Sequence, residues 1–330
     1  MPGPGRGEAG GYREDMVEEF LAYALDSVHP EVRSWFPEGR VEQNLREEVQ
    51  DDIEWLYNEE WADRFARNCY VRAAGTDDYK SRVVELPDGL KVVAAIRFEG
   101  LDIGKPFVDV RLQNGDAMTP AWLDDLWVAL REQFAVFRPG RLRFYRPSHL
   151  PLASPGGTLA VTEDLCYFAA PLSWMSRLPL PEHYSRVRLE RAASLDFFAE
   201  YERIYAQLIE ERPWMEGVVL QDSREELESY KSEGTLFGVS IDDTWAGIIA
   251  AYRDTDRGIS GYCVGEFVLK RGFRGRGFGP AVQRRFAGRL EETGDAVLYG
   301  TISGANAPSL RTARKCGRVD VGGYYWVAER

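Results

Sequence analysis

The sequence predicts an α/β protein of the α+β kind, in which sheets are flanked by helices and one order of elements is set out twice. Three observations carry this. Apolar spacing switches repeatedly between the helical period and the alternating period of strands. One apolar strand runs into a basic, glycine-dense loop and then into a helix, over Gly265 to Leu290 (GEFVLKRGFRGRGFGPAVQRRFAGRL). The strand, hairpin, strand, helix, strand order around that loop recurs in outline over residues 68–170. A chain of 330 residues has room for two ordinary domains.

In order, Met1 to Gly11 holds five glycines and two prolines, and residues 1–12 read as a disordered tail. Asp15 to Leu25 is helical by pattern. A longer helix follows over Val41 to Trp61, with Leu45, Val49, Ile53, Leu56, Tyr57 and Trp61 on one stripe and an acidic, solvated opposite face. Asn68 to Arg72 reads as a strand, and Ser81–Leu86 with Leu90–Phe98 as a hairpin around Pro87-Asp88-Gly89. Phe107 to Leu112 alternates as a strand. Thr119 caps a helix with Pro120 in its first turn and Leu123, Leu126, Trp127, Leu130 and Phe134 at helical spacing. Arg141–Tyr145 and Leu165–Ala170 are the next strands.

Leu178 to Glu182 (LPLPE) is the expected boundary between a domain over 13–180 and one over 181–330. Val187–Leu189 is a short strand, and Ser194 is expected to cap a helix running to Glu211. Pro213 breaks that helix, and Ser223-x-x-Glu226 is a capping box for the next. Thr235–Ile241 and Trp245–Tyr252 form a hairpin across Asp242-Asp243, and Gly261–Leu269 is the strand entering the loop. A helix over 280–290 buries Val282, Phe286 and Leu290. The strand Ala296–Ile302, a helix from Asn306 to Cys316 and the strand Tyr324–Ala328 close the chain.

Strand, glycine loop and helix N-terminus together present bare backbone N–H groups to phosphate. The spacing is not that of a P-loop, since no Lys-Ser or Lys-Thr follows the glycines. Nor is it the dinucleotide fingerprint, because in Gly275-x-Gly277-x-Gly279 the third glycine comes one residue early. Arg274-Gly275-x-Gly277-x-Gly279, after a strand and before a helix, resembles the acyl-CoA pyrophosphate loop of the GNAT N-acetyltransferase superfamily. Asn306-x-x-Ser309 behind it, in matching context, extends the resemblance over about residues 184–330.

The resemblance implies a GNAT fold, a mixed and mostly antiparallel twisted sheet flanked by helices, and in this chain two GNAT-like domains in tandem. In the first half the corresponding loop, Gln113 to Met118, has one glycine, no arginine and an aspartate. That half reads as a degenerate copy without a cofactor loop, or as an unrelated α+β domain.

The activity implied is transfer of acetyl from acetyl-CoA, or another acyl from its acyl-CoA, to a primary amine by direct attack. Arg274, Gly275, Arg276, Gly277, Phe278 and Gly279 would hold the pyrophosphate, with Phe267, Val268 and Leu269 along the pantetheine arm and Asn306 and Ser309 at the cofactor. Glu266, in an otherwise apolar strand, is the candidate base; the same residue also reads as a solvent-facing or ammonium-facing carboxylate. The tyrosine that many members carry in the helix after the asparagine is missing, its position falling near Ala313, and Tyr324 is the candidate substitute. Trp214, Met215 and Glu216 would line the amine pocket. A non-catalytic CoA-binding sensor, or a tandem GNAT-like transferase with another acyl donor, are the competing functions.

Bulk properties bound the rest. Hydrophobic content of 44%, charged content of 28% and a formal net charge of −12 describe a soluble globular chain that would repel nucleic acid and suit a small-molecule or peptide amine. No run reaches the roughly 18 apolar residues of a membrane span, so neither a membrane nor a nucleic acid is expected as a partner, and the protein is expected to be cytoplasmic and a monomer or homodimer. Cys69, Cys166, Cys263 and Cys316 form no C-x-x-C, and His29, His149 and His183 are isolated, so no metal site is expected.

Overall fold

The computed structural model describes residues 6–115, 119–152, 157–217, 219–291 and 296–330. Of the expected glycine-rich tail, residues 1–5 lie outside the described residues, and a helix already begins at Arg6. The chain opens with α1 (Arg6–Asp26), α2 (Pro30–Trp35), α3 (Arg40–Glu54) and α4 (Glu59–Asn68). The long stripe over 41–61 is therefore two helices. The Asn58 side chain accepts the Trp61 N–H at 2.9 Å and starts α4, which runs through Asn68 where a strand was expected.

The strands β1 (Arg82–Glu85), β2 (Lys91–Phe98) and β3 (Pro106–Gln113) follow, then α5 (Pro120–Gln133), β4 (Arg141–Arg146), β5 (Leu159–Pro171) and α6 (Leu172–Arg177). Thr119 caps α5 through the Trp122 N–H at 3.1 Å. The second half holds β6 (Val187–Arg191), α7 (Phe198–Glu211), α8 (Arg224–Ser232), β7 (Leu236–Ile241), β8 (Thr244–Asp256), β9 (Ile259–Leu269), α9 (Phe278–Glu291), β10 (Val297–Ser303), α10 (Ala307–Lys315) and β11 (Val319–Glu329). Ser194 does not cap α7, which begins at Phe198; its hydroxyl bonds the Asp196 carboxylate at 2.7 Å instead. The Ser223 capping box on α8 is formed.

The chain divides into two compact units, and the division is not the one expected at 178–182. Unit 1 is Met1–Asp164 with Asp256–Ile259 and Gly322–Arg330; unit 2 is Leu165–Thr255 with Ser260–Val321. Each unit holds a mixed, mostly antiparallel sheet. In unit 1, β1, β2 and β3 are antiparallel neighbours, β3 and β4 are parallel, and β4 pairs antiparallel with β11 over Gly323–Ala328. In unit 2, β6, β7 and β8 form an antiparallel run that continues to β9, β9 and β10 are parallel, and β10 pairs antiparallel with β5 over Leu165–Pro171. The two units thus repeat one plan, with a helix (α5 or α9) crossing between the parallel strands.

Each core follows from the alternation of its strands. In unit 1, Val92, Ala94, Ile96, Val108, Val110, Leu142 and Phe144 pack against Leu123, Leu126 and Leu130 of α5. On the other face, Val93 and Leu112 pack against Met16, Val17, Phe20, Val49 and Ile53. In unit 2, Leu269, Val282, Phe286, Leu290 and Leu298 share one cluster, while Val268 lies with Tyr201, Tyr205, Leu208, Met215 and Tyr230 in another. Among the described residues no helix is long and apolar enough to cross a membrane.

Candidate functional site

The site begins where β9 and β10 part. Their parallel ladder runs only over Gly261–Cys263 and Val297–Tyr299. Gly261 permits that close approach, since a Cβ there would lie 2.2 Å from the Val297 carbonyl oxygen. The rest of β9, towards Leu269, has no ladder to β10, and a cavity of about 430 Å³ lies beside it. Phe267, Val268 and Leu269 line this cavity from the strand.

The glycine loop closes one end. Gly275 and Gly277 sit at φ +72° and +83°, the left-handed region that favours glycine. The N–H groups of Gly275, Arg276 and Gly277 have no backbone acceptor among the described residues. Gly279 lets α9 approach α10, as a Cβ there would lie 2.9 Å from the Thr312 side chain. Gly275, Gly277, Phe278 and Gly279 line the cavity at the N-terminus of α9, where the helix dipole favours an anion.

Arg274 lines the cavity too. Its Nη1 meets Glu211 Oε2 at 2.9 Å, while its buried Nε and Nη2 have no partner among the described residues. Buried guanidinium donors left over from an ion pair fit an anionic ligand. Arg276 does not line the cavity; it is exposed, with Nη1 bonding the Gly272 carbonyl oxygen at 3.0 Å. Asn306 and Ser309 line it from the start of α10, where the Asn306 side chain caps the helix through the Ser309 N–H at 3.4 Å. Arg212, Arg311 and Lys315 add positive charge, and among the described residues no carboxylate lines the cavity. In a chain of net charge −12, this cavity is basic.

Glu266 faces the opposite way to Phe267. It is 3% exposed, against α7, and does not line the cavity. Tyr205 Oη donates to both its oxygens at 2.9 Å, and Tyr201 Oη donates to Oε2. Burial pushes its carboxyl up to about 7; the Tyr201 hydrogen bond opposes this and the nearby Asp222 charge adds to it. Asp222 is itself raised to about 6, chiefly by burial. Both tyrosine hydroxyls are raised, first by burial and then by the Glu266 charge.

Of the expected acceptor residues, Met215 lines the cavity, whereas Trp214 and Glu216 are exposed and do not. Tyr324 belongs to unit 1 and is not a lining residue; Arg257 donates to its hydroxyl at 3.3 Å and the Tyr145 ring lies 5.4 Å away. The Tyr324 candidacy therefore gains nothing from the cavity's geometry. Sequence reading missed Tyr205, Leu208 and Phe273, all lining residues. Tyr201 and Tyr205, one helical turn apart on the buried face of α7, were the available signal. Of the Gln113–Met118 loop, residues 116–118 lie outside the described residues. Among the described residues, no group of His, Cys, Asp and Glu is placed to hold a metal ion.

No family model matches the chain, and no curated protein matches it. Solved structures do resemble it. One is a GCN5-related N-acetyltransferase from Sphaerobacter thermophilus, 14% identical, covering 78% of this chain and 82% of that one at a TM-score of 0.49. Another is a GNAT-family acetyltransferase from Colwellia psychrerythraea, 9% identical, covering 85% and 97% at 0.49. A third is a tandem GNAT protein from the clavulanic acid biosynthesis pathway, 12% identical, covering 96% and 95% at 0.46. The observed strand order, the parting parallel pair and the glycine loop at α9 define the class: an α/β fold of two units that repeat one plan, each a mixed, mostly antiparallel sheet with a helix crossing between its parallel strands.

Proposed function

We propose that the chain is an acyl-CoA-dependent N-acyltransferase, with acetyl-CoA as donor and a primary amine as acceptor. The observation that carries this is the basic, carboxylate-free cavity between the parted strand and the glycine loop. The loop N–H groups, the α9 N-terminus and the two unpartnered donors of Arg274 suit a pyrophosphate. The unpaired length of β9 suits an extended arm, with Phe267, Val268 and Leu269 beside it. The thioester of the donor supplies the activated acyl carbon.

The protein's own contribution is to position and to manage a proton. A backbone N–H on the free part of β9 would stabilise charge developing on the carbonyl oxygen. Glu266, raised to about 7, is a base matched to neutral pH. Met215 places apolar surface on the amine side. Ala313 stands where many members carry a tyrosine, so α10 offers no acid for the departing thiolate.

Two measurements on the full chain test this. Calorimetry with acetyl-CoA should show one site per chain, lost in Gly277→Glu. Thiol release from acetyl-CoA across an amine panel should reveal an acceptor. Saturable acetyl-CoA binding with no release for any amine would instead fit a sensor, and absence of binding would end the acyl-CoA reading.

A further inference from the structure

The side chain that bonds Glu266 and also lines the cavity is that of Tyr205, and the two tyrosines on Glu266 are not equivalent. Tyr201 Oη donates to Glu266 and accepts the Asp222 N–H at 2.9 Å, so both roles of its oxygen are taken. Tyr205 Oη donates to Oε1 and Oε2 at 2.9 Å each, and no described residue donates to its oxygen. Tyr201 does not line the cavity, and neither does Glu266. A base sealed behind a hydroxyl reaches a substrate through that hydroxyl.

We infer that Tyr205 is a catalytic residue, relaying the acceptor's proton from the cavity to Glu266. This rests on the acyltransferase reading. As the amine nitrogen bonds the acyl carbon and the carbon–sulfur bond breaks, the bonding pair leaves with sulfur as the thiolate. The nitrogen gives one proton to Tyr205 Oη, and Tyr205 gives its own to Glu266. Tyr205 ends unchanged, Glu266 ends as the acid, and its proton returns through solvent to the thiolate, so the products are amide and thiol. The groups facing Glu266 are Tyr201 and Tyr205 from α7, Asp222 before α8 and the Phe267 backbone of β9. Asp222 in turn feels Glu226 and Tyr230.

The test is a pH–rate profile for thiol release by the unaltered chain, Tyr205→Phe and Tyr201→Phe. Tyr205→Phe should lower kcat by on the order of 100-fold, leave acetyl-CoA affinity unchanged and abolish the rise in kcat/KM through pH 7. Tyr201→Phe should keep that rise and lose about ten-fold or less. Tyr205→Phe within about three-fold of the unaltered kcat, with the rise retained, overturns the relay alone. No turnover by the unaltered chain with any amine overturns the acyltransferase reading and the relay with it. Should Tyr205→Phe fail to fold, a proton inventory on the unaltered chain decides: a curved plot in H2O–D2O mixtures shows two protons in flight, and a straight one overturns the relay.

Discussion

Glu266 and Asp109 show how neighbours set the charge of a carboxylate. Each sits on the strand that precedes a helix crossover, and each is buried. Asp109 Oδ1 meets Arg143 Nε at 3.0 Å and Oδ2 meets Arg111 Nη1 at 3.4 Å. Although burial opposes it, these guanidinium groups hold its carboxyl below the usual range, so it stays an anion. Glu266 has neutral donors, two tyrosine hydroxyls and the Phe267 backbone, and can take a proton near neutrality. Glu266→Gln should therefore lower turnover by at least 100-fold and flatten the profile across pH 6–8, where the unaltered rate rises as the carboxylate forms. A profile unchanged in that variant removes Glu266 as base.

A second glutamate tests the same physics through stability. Glu48 accepts the N–H groups of Arg257 at 2.8 Å and Gly258 at 2.9 Å, and burial raises its carboxyl to about 7 from an ordinary 4.5. A raised folded value means the folded chain binds this proton more tightly than the unfolded one. Its contribution is complete below about pH 4.5 and is lost as pH rises through 7, up to about 3 kcal/mol. Urea unfolding at pH 5 and pH 8 should show that loss, and Glu48→Gln should remove Glu48's share. An identical difference in the variant would refute the assignment.

At the scale of elements, the loop over Lys270–Gly279 and α9 concentrates the chemistry. Gly277→Glu forces a side chain into a left-handed residue, costing about 1–2 kcal/mol, and places an acid where an anion is proposed. Gly277→Ala shares the strain without the charge. Calorimetry should show acetyl-CoA affinity falling by 100-fold or more for Glu and by ten-fold or less for Ala; equal losses would assign the effect to strain. This loop was legible because glycine spacing and helix caps act over a few residues. The join between α3 and α4 was not. Trp55 closes the C-terminus of α3 and Trp61 lies in the first turn of α4, and their rings stack 4.9 Å apart across the turn between them, over Arg97 from β2. A guanidinium brought from a strand more than 30 residues on makes that turn worthwhile, and no local periodicity reports it.

For the whole molecule, the consequence lies in which strand completes which unit. Leu165–Pro171, from the end of the first half, pairs with β10 in unit 2, and Gly323–Ala328, from the end of the second, pairs with β4 in unit 1. A fragment cut at the proline-rich 178–182 stretch would leave β10 without its neighbour and carry a terminal strand with no partner. Fragment 181–330 should aggregate on size exclusion and bind no acetyl-CoA, while the full chain does bind it. A monomeric, binding-competent fragment would contradict this.

By itself the sequence determined the order of helices and strands, its repetition, and the glycine–arginine loop with its asparagine-capped helix. These are written in local spacing, caps and turn residues, which act within a few positions. Only the tertiary structure decided the strand exchange and the joining of Glu266 to tyrosines some 60 residues earlier. Those depend on burial and on partners distant in the chain, and burial is what moves the Glu266 carboxyl into the range where a proton can be exchanged.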